Sequence, residues 1–280
     1  MGKIFDALEK ANRRPGPKES SPAKRKRQHR GNAGQGNVVP FADLKSPDPD
    51  QKLDSHLVAY HNPQSVEAEL FKVLRTNLLF PSEGKPPKSI MITSAIPGDG
   101  KSLVSANLAV SIARGVEEHV LLVDADIRNP SINRYFGLGR PEGLSEYLKS
   151  GKDVSTHFIK TVVEKLTILP AGTPPDNPAE LLTTQKMKAL LNEVAQRYED
   201  RYIVIDSAPP SVAPETAAIA NYVDGIIIVV KAGKTPRTAV SEVIEHFGKD
   251  KILGLVLNQS DQSIKKYYGY GKSYYKPKPD

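Results

Sequence analysis

Between residues 63 and 258, short apolar runs alternate with amphipathic stretches, and few folds accept that order. SVEAELFKVLRTNLLF carries a helical period. It is followed by SIMIT, SLVSANLAVSIAR, HVLLVDAD, KLTILPA, TTQKMKALLNEVAQRYE, YIVIDSA, PETAAIANY, GIIIVVKA, TAVSEVIEHF and ILGLVLN. The strand-length runs are continuously apolar, which predicts strands buried on both faces. The amphipathic stretches between them predict crossover helices that cover those faces. A doubly wound α/β domain with a mostly parallel sheet is therefore expected, with ligands at the carboxyl ends of its strands.

The segments outside this core have a different composition. The chain has 280 residues, 39% of them hydrophobic, which suits one sizeable domain with extra segments. Residues 1–13 place Ile4, Phe5, Leu8 and Ala11 on one face of a short amphipathic helix. Residues 14–62 read as a flexible basic linker rich in Pro, Gly, Ser and Asn. Residues 259–280 form a tail in which Tyr267, Tyr268, Tyr270, Tyr274 and Tyr275 stand among lysines, glycines and prolines. Such a tail can bury neither the rings nor the hydroxyls.

Composition also excludes several classes of function. The net charge is +7, but Lys24–Arg27 and the five lysines after Ser263 concentrate it in the flexible ends. That distribution points to solvated segments and not to a specific nucleic-acid surface. Without cysteine there are no disulfides, thiolate metal sites or thiol nucleophiles. The longest apolar run, Ile226–Val230, is far too short to cross a bilayer. MGKIFDALEK lacks the apolar stretch of a secretory signal, and Asp6 stands where a myristoylation motif requires Ser or Thr. A soluble, cytoplasmic chain is expected, reaching a membrane only through a partner.

The chemistry concentrates at strand tips. SIMIT runs into SAIPGDGKSL, which opens a helix. Gly98 and Gly100 let the backbone wrap a phosphate chain, and Lys101 can reach its terminal groups. Ser102 can offer its hydroxyl to Mg²⁺, and the helix N-terminus adds amides and dipole. Ala95 replaces the first glycine of the usual phosphate-loop pattern; the strand–loop–helix context compensates. VLLVDADIR ends a second strand at Asp124 and Asp126, and YIVIDSAPP ends a third at Asp206. One such carboxylate could merely cap a helix. Three beside a phosphate loop point to handling of a metal and a nucleophile.

DADIR, GDGKS and DSAPP together resemble the bacterial tyrosine kinases of capsule and exopolysaccharide synthesis, P-loop NTPases of the deviant Walker type. The resemblance covers residues 63–258, including NPSINRYFGL, GLSEYL, LPAG with PPDNPAELL, and VVKAGKT. It implies ATP and Mg²⁺ as cofactors, with the nucleotide on Gly98, Asp99, Gly100, Lys101, Ser102 and Leu103. Ser102 and Asp124 would hold the metal, Asp206 would act on it through water, and Asp126 would accept the phenolic proton. Arg128 would orient that loop or the phosphates, and Asn258 would approach the adenine. The tail tyrosines would be autophosphorylation sites, exposed because they are substrates.

The resemblance further implies a homo-oligomeric ring, a membrane-spanning chain-length regulator as a separate activating partner, and a cognate tyrosine phosphatase. The chain would then sit peripherally at the inner face of the plasma membrane. Three departures stand out: DSAPP in place of a DTPP-like motif, Leu103 where threonine is common, and Glu69–Lys72–Arg75 where the ring-contact helix usually carries two arginines. Lysine cannot reproduce a bidentate arginine fork, so a weaker ring is expected. The alternative is a partitioning or division-site ATPase that phosphorylates nothing. Ile96, standing where those proteins carry a lysine, and the tyrosine tail both favour the kinase. A non-enzymatic regulator would not need Lys101, Ser102, Asp124, Asp126 and Asp206 all intact.

Overall fold

In the computed structural model, residues 47–150, 152–197 and 201–260 are described. The expected helix at 1–13, the tail tyrosines and the linker before residue 47 lie outside them. The described elements begin with α1 (Val58–His61), α2 (Val66–Leu79), β1 (Ser89–Ser94), α3 (Lys101–Ala113), β2 (His119–Asp124), α4 (Ile132–Tyr135) and α5 (Leu144–Lys149). β3 (Ile159–Lys160), β4 (Leu166–Leu169), α6 (Pro178–Leu182), α7 (Gln185–Arg197) and β5 (Arg201–Asp206) follow. α8 (Thr216–Ala220), β6 (Gly225–Lys231), α9 (Arg237–Phe247) and β7 (Ile252–Asn258) complete the order.

The sheet order is β3-β4-β2-β5-β1-β6-β7. All pairs are parallel except β3 with β4. The predicted mostly parallel sheet is thus present. β3 was not foreseen, because its two residues are too few to show a period. The two-residue alternation of strand side chains separates two cores. Met91, Val123, Ile205 and Ile228 share one with Leu190, Leu191 and Val194 of α7. Ile90, Leu122, Val204 and Val229 share the other with Leu108 and Ile112 of α3. Asp224 fastens the central strands at their start, its Oδ2 accepting from the N–H groups of Lys88 and Ser89, each at 2.8 Å.

Two expectations need correction. The linker proposed for 14–62 does not extend to residue 62, because residues before Pro63 are built into the domain. Leu57 is fully buried. Asn107 of α3 accepts from Ala59 N–H at 3.0 Å and donates to His56 O at 3.0 Å. Low hydrophobicity hid this segment, which is anchored by Leu57 and Ala59, with Leu53 and Tyr60 packed against the same core, and by the Asn107 side chain on its backbone. The second correction concerns β7, which is not buried on both faces. At the sheet edge Leu253, Leu255 and Leu257 are exposed while their neighbours are partly covered.

Candidate active site

The phosphate loop forms where β1 gives way to α3. Gly98 and Gly100 have φ of 88° and 93°, the left-handed region in which a side chain is strained. A Cβ on Gly100 would also meet Asn258 Nδ2 at 2.1 Å. Asn258, expected at the adenine, donates its amide to Asp99 O at 2.8 Å, so it braces the loop from the tip of β7. The buried Asp99 side chain braces it from within, accepting from Thr235 Oγ1 at 2.7 Å. Thr235 was not singled out from sequence, although VVKAGKT contains it. Leu103, one residue past Ser102, lies in the first turn of α3.

The parallel register sets Asp124 of β2 beside Asp206 of β5, and both are fully buried. Asp126 lies just past the β2 tip, and its Oδ2 stands 2.7 Å from Lys101 Nζ. Lys101 also donates to Ser102 Oγ at 3.3 Å. Three expected carboxylates, one ammonium and one hydroxyl are thus brought together. Their partners differ. Asp124 Oδ1 accepts from Asp126 N–H at 3.2 Å, and Oδ2 accepts from Ser131 and Ile132 N–H at 3.2 and 3.1 Å. Asp206 Oδ1 accepts from Ser105 Oγ at 3.0 Å, while its buried Oδ2 has no hydrogen-bond partner.

Burial shapes the electrostatics. Burial, and then the adjacent Asp206 carboxylate, push the Asp124 carboxyl well above its usual range. Burial likewise raises Asp206, while Lys101, Ser102 and Ser105 pull against it. Burial alone would lower the Lys101 ammonium, but Asp206 and Asp126 outweigh it and hold the group above an ordinary lysine. The pocket is therefore rich in carboxylate and short of positive charge. Among the described residues no three His, Cys, Asp or Glu side chains form a ready metal cage. Mg²⁺ is usually held by one or two carboxylates, waters and phosphate oxygens, so an unpartnered Asp206 oxygen near Ser102 fits it.

Arg128 is committed elsewhere. Its Nε donates to Glu215 Oε1 at 2.6 Å, and the Glu215 side chain is buried. This ties the loop after Asp126 to the entry of α8. Glu215 was missed, although a lone acid in SAPPSVAPETAA was a readable signal. Glu69, Lys72 and Arg75, expected at a ring contact, occupy α2. Lys72 Nζ lies 2.6 Å from Glu69 Oε1 within the helix. Arg75 donates to Ser111 O of α3 at 2.7 Å. A stripe of exposed apolar residues, Val66, Leu70 and Val73, runs along α2.

Comparison with known proteins shows the family and the fold. A family model described as ParA, NUBPL iron-transfer P-loop NTPase, matches residues 86–268. Tyrosine-protein kinase YwqD of Bacillus subtilis (strain 168) is 34% identical over 221 residues, 78% of this chain and 92% of its own. Among solved structures, the chimerical protein CapA2B2 superposes with a TM-score of 0.66 at 32% identity, covering 74% of this chain and 91% of its own. The kinase domain of the Escherichia coli tyrosine kinase ETK gives a TM-score of 0.66 at 25% identity, covering 80% and 87%.

Proposed function

The chain belongs to the bacterial tyrosine-protein kinases, on the ParA-type P-loop NTPase fold, and we propose that it is an autokinase acting on its own tail tyrosines. In this reading it serves the polymerisation and export of an exopolysaccharide or capsule. The observation that carries it is the Lys101–Asp126 pair beside the unpartnered Asp206 oxygen at the phosphate loop.

ATP binding follows from the fold. Gly98, Asp99, Gly100, Lys101, Ser102 and Leu103 would line the phosphates, with backbone amides supplying donors. The β- and γ-phosphates offer Lys101 a stronger anionic partner than Asp126. Drawing Lys101 away frees the Asp126 carboxylate to accept the proton of an incoming phenol. The phenolic oxygen then bonds to the γ-phosphorus as the bond to the bridging oxygen breaks, releasing ADP. Mg²⁺, held by Ser102 with Asp124 and Asp206, would neutralise charge on the phosphates. Arg128, through Glu215, positions the Asp126 loop.

Tyr267, Tyr268, Tyr270, Tyr274 and Tyr275 would be modified in a neighbouring subunit's pocket. From Asn258 to Tyr267 the chain spans nine residues, at most about 30 Å extended. Because Asn258 itself bonds to Asp99 O of the phosphate loop, that reach covers its own pocket as well as a neighbour's, and the mixing experiment below separates the two. A ring through Glu69, Lys72 and Arg75 would supply the neighbour, and the exposed Val66–Leu70–Val73 stripe supports a contact there. Among the described residues no helix is long and apolar enough to cross a membrane. A separate membrane-spanning chain-length regulator would hold the kinase at the cytoplasmic face, and a tyrosine phosphatase would reset it.

The test mixes a Lys101→Ala chain with intact tyrosines and an active chain whose five tail tyrosines are phenylalanine, with labelled ATP and Mg²⁺. Phosphotyrosine on the tail of the Lys101→Ala chain supports transfer between subunits. If the mixture stays unlabelled while unmutated protein labels itself at every dilution, transfer is within one chain.

A further inference from the structure

A second site lies at the other end of α3. From Lys101 to Ser111 the helix rises about 15 Å, which separates this site from the phosphate loop. There α1, α2 and α3 enclose a cleft of ≈ 340 Å³ lined by Lys72, Arg75, Ser111 and Arg114, with Ala59 and Ala68 among its apolar walls. Lys72 has an acidic partner in Glu69. Arg75 and Arg114 have none among the described residues; Arg75 donates to Ser111 O and Arg114 to Tyr60 O at 3.3 Å. The Ser111 hydroxyl is buried and has no hydrogen-bond partner.

The site therefore has a surplus of donors. A guanidinium carries five N–H groups, and one hydrogen bond is accounted for on each arginine here. A buried hydroxyl without a partner lowers stability unless a ligand completes it. The C-terminal end of α3 alone would repel an anion, but Arg75 and Arg114, which bond only to carbonyls there, outweigh it. Ala59, Pro63 and Ala68 give the cleft small apolar walls beside the charge. An aryl phosphate combines a phenyl ring with three acceptor oxygens and about −1.5 to −2 charge.

We propose that this cleft binds phosphotyrosine, specifically the phosphorylated tail of this chain. The proposal rests on the kinase reading for the source of the ligand. Because Lys72 and Arg75 also belong to the proposed ring contact, occupancy by the product would compete with assembly. Phosphorylation of the tail would then favour release of the subunit from the ring.

The experiment uses full-length Lys101→Ala chain, which carries no phosphate of its own making. A fluorescent synthetic peptide of residues 262–276, phosphorylated at Tyr267 and Tyr268, is followed by anisotropy. Binding is expected to be roughly tenfold or more tighter than for the unphosphorylated peptide, and Arg114→Gln should weaken it by a similar factor. Ser111→Ala should weaken it less, by about threefold, with an unchanged or raised melting temperature. Millimolar inorganic phosphate should displace the peptide where chloride at equal ionic strength does not. Equal binding of both peptides, or full binding by Arg114→Gln and Ser111→Ala, overturns the proposal. So does Arg114-dependent binding to phosphatidylserine vesicles without peptide binding, which would assign the cleft to lipid. The peptide is synthetic, so its failure to bind leaves the kinase reading intact, and a chain that fails to label itself leaves the cleft testable.

Discussion

At Lys101 and its acidic neighbours, the arrangement that suits catalysis is poor for stability. Lys101 is the cation paired with Asp126 and is held up by Asp206 and Asp124, carboxylates that are all buried or nearly so. Lys101→Ala should remove nearly all autophosphorylation, measured with labelled ATP, and should also lower the melting temperature because Asp126 loses its partner. Asp206→Asn should likewise abolish labelling but raise thermal stability, because a buried carboxyl held above its usual range becomes a neutral amide. The measurement is a thermal melt in chelator beside the activity assay; a destabilised Asp206→Asn would contradict it. Gly100→Ala should cost about 1–3 kcal/mol for the positive φ alone. Nucleotide binding should fall at least as sharply, since Asn258 Nδ2 occupies the space of the new Cβ.

Among elements, α2 and the 3-10 turn at Val154–His157 make separable predictions. Lys72→Arg should strengthen assembly, because a planar fork can bond one carboxylate twice where an ammonium cannot. Light scattering over a salt series checks it: the variant should stay assembled at higher salt than the parent. His157 is buried with its Nε2 unpartnered, and burial lowers its ring below the ordinary histidine value, against the pull of Glu142. The sign follows from proton uptake. The unfolded chain binds the proton first, so the stability contributed by the neutral ring is complete above about pH 6.5 and is lost as pH falls. His157→Leu should therefore show a smaller drop in melting temperature between pH 7.5 and pH 5 than the parent. Equal drops would place the acid sensitivity elsewhere.

For the whole molecule, the domain begins earlier than its regular alternation of strands and helices. A chain starting at residue 47 should keep Leu57 in the core and the bonds from Asn107 to α1. One starting at residue 63 should lose about 2–5 kcal/mol, the usual cost of emptying one large buried side chain. Denaturant unfolding of the two shortened chains side by side is the check, and equal midpoints would show that α1 contributes nothing. The sheet, the phosphate loop and the three acidic tips could be read in the sequence because they are local: continuous apolar runs, adjacent glycines, and acids placed directly after strands. What only the tertiary structure decided is long-range pairing. Asn258 braces Asp99 across 159 residues, Asp206 sits beside Asp124 through strand register, and Arg128 reaches Glu215. The cleft at the end of α3 draws Lys72, Arg75, Ser111 and Arg114 from two helices, and no spacing in the chain announces it. Local patterns record which backbone each segment prefers; which side chains meet depends on how the sheet orders its strands, a property of the closed packing and of no single segment.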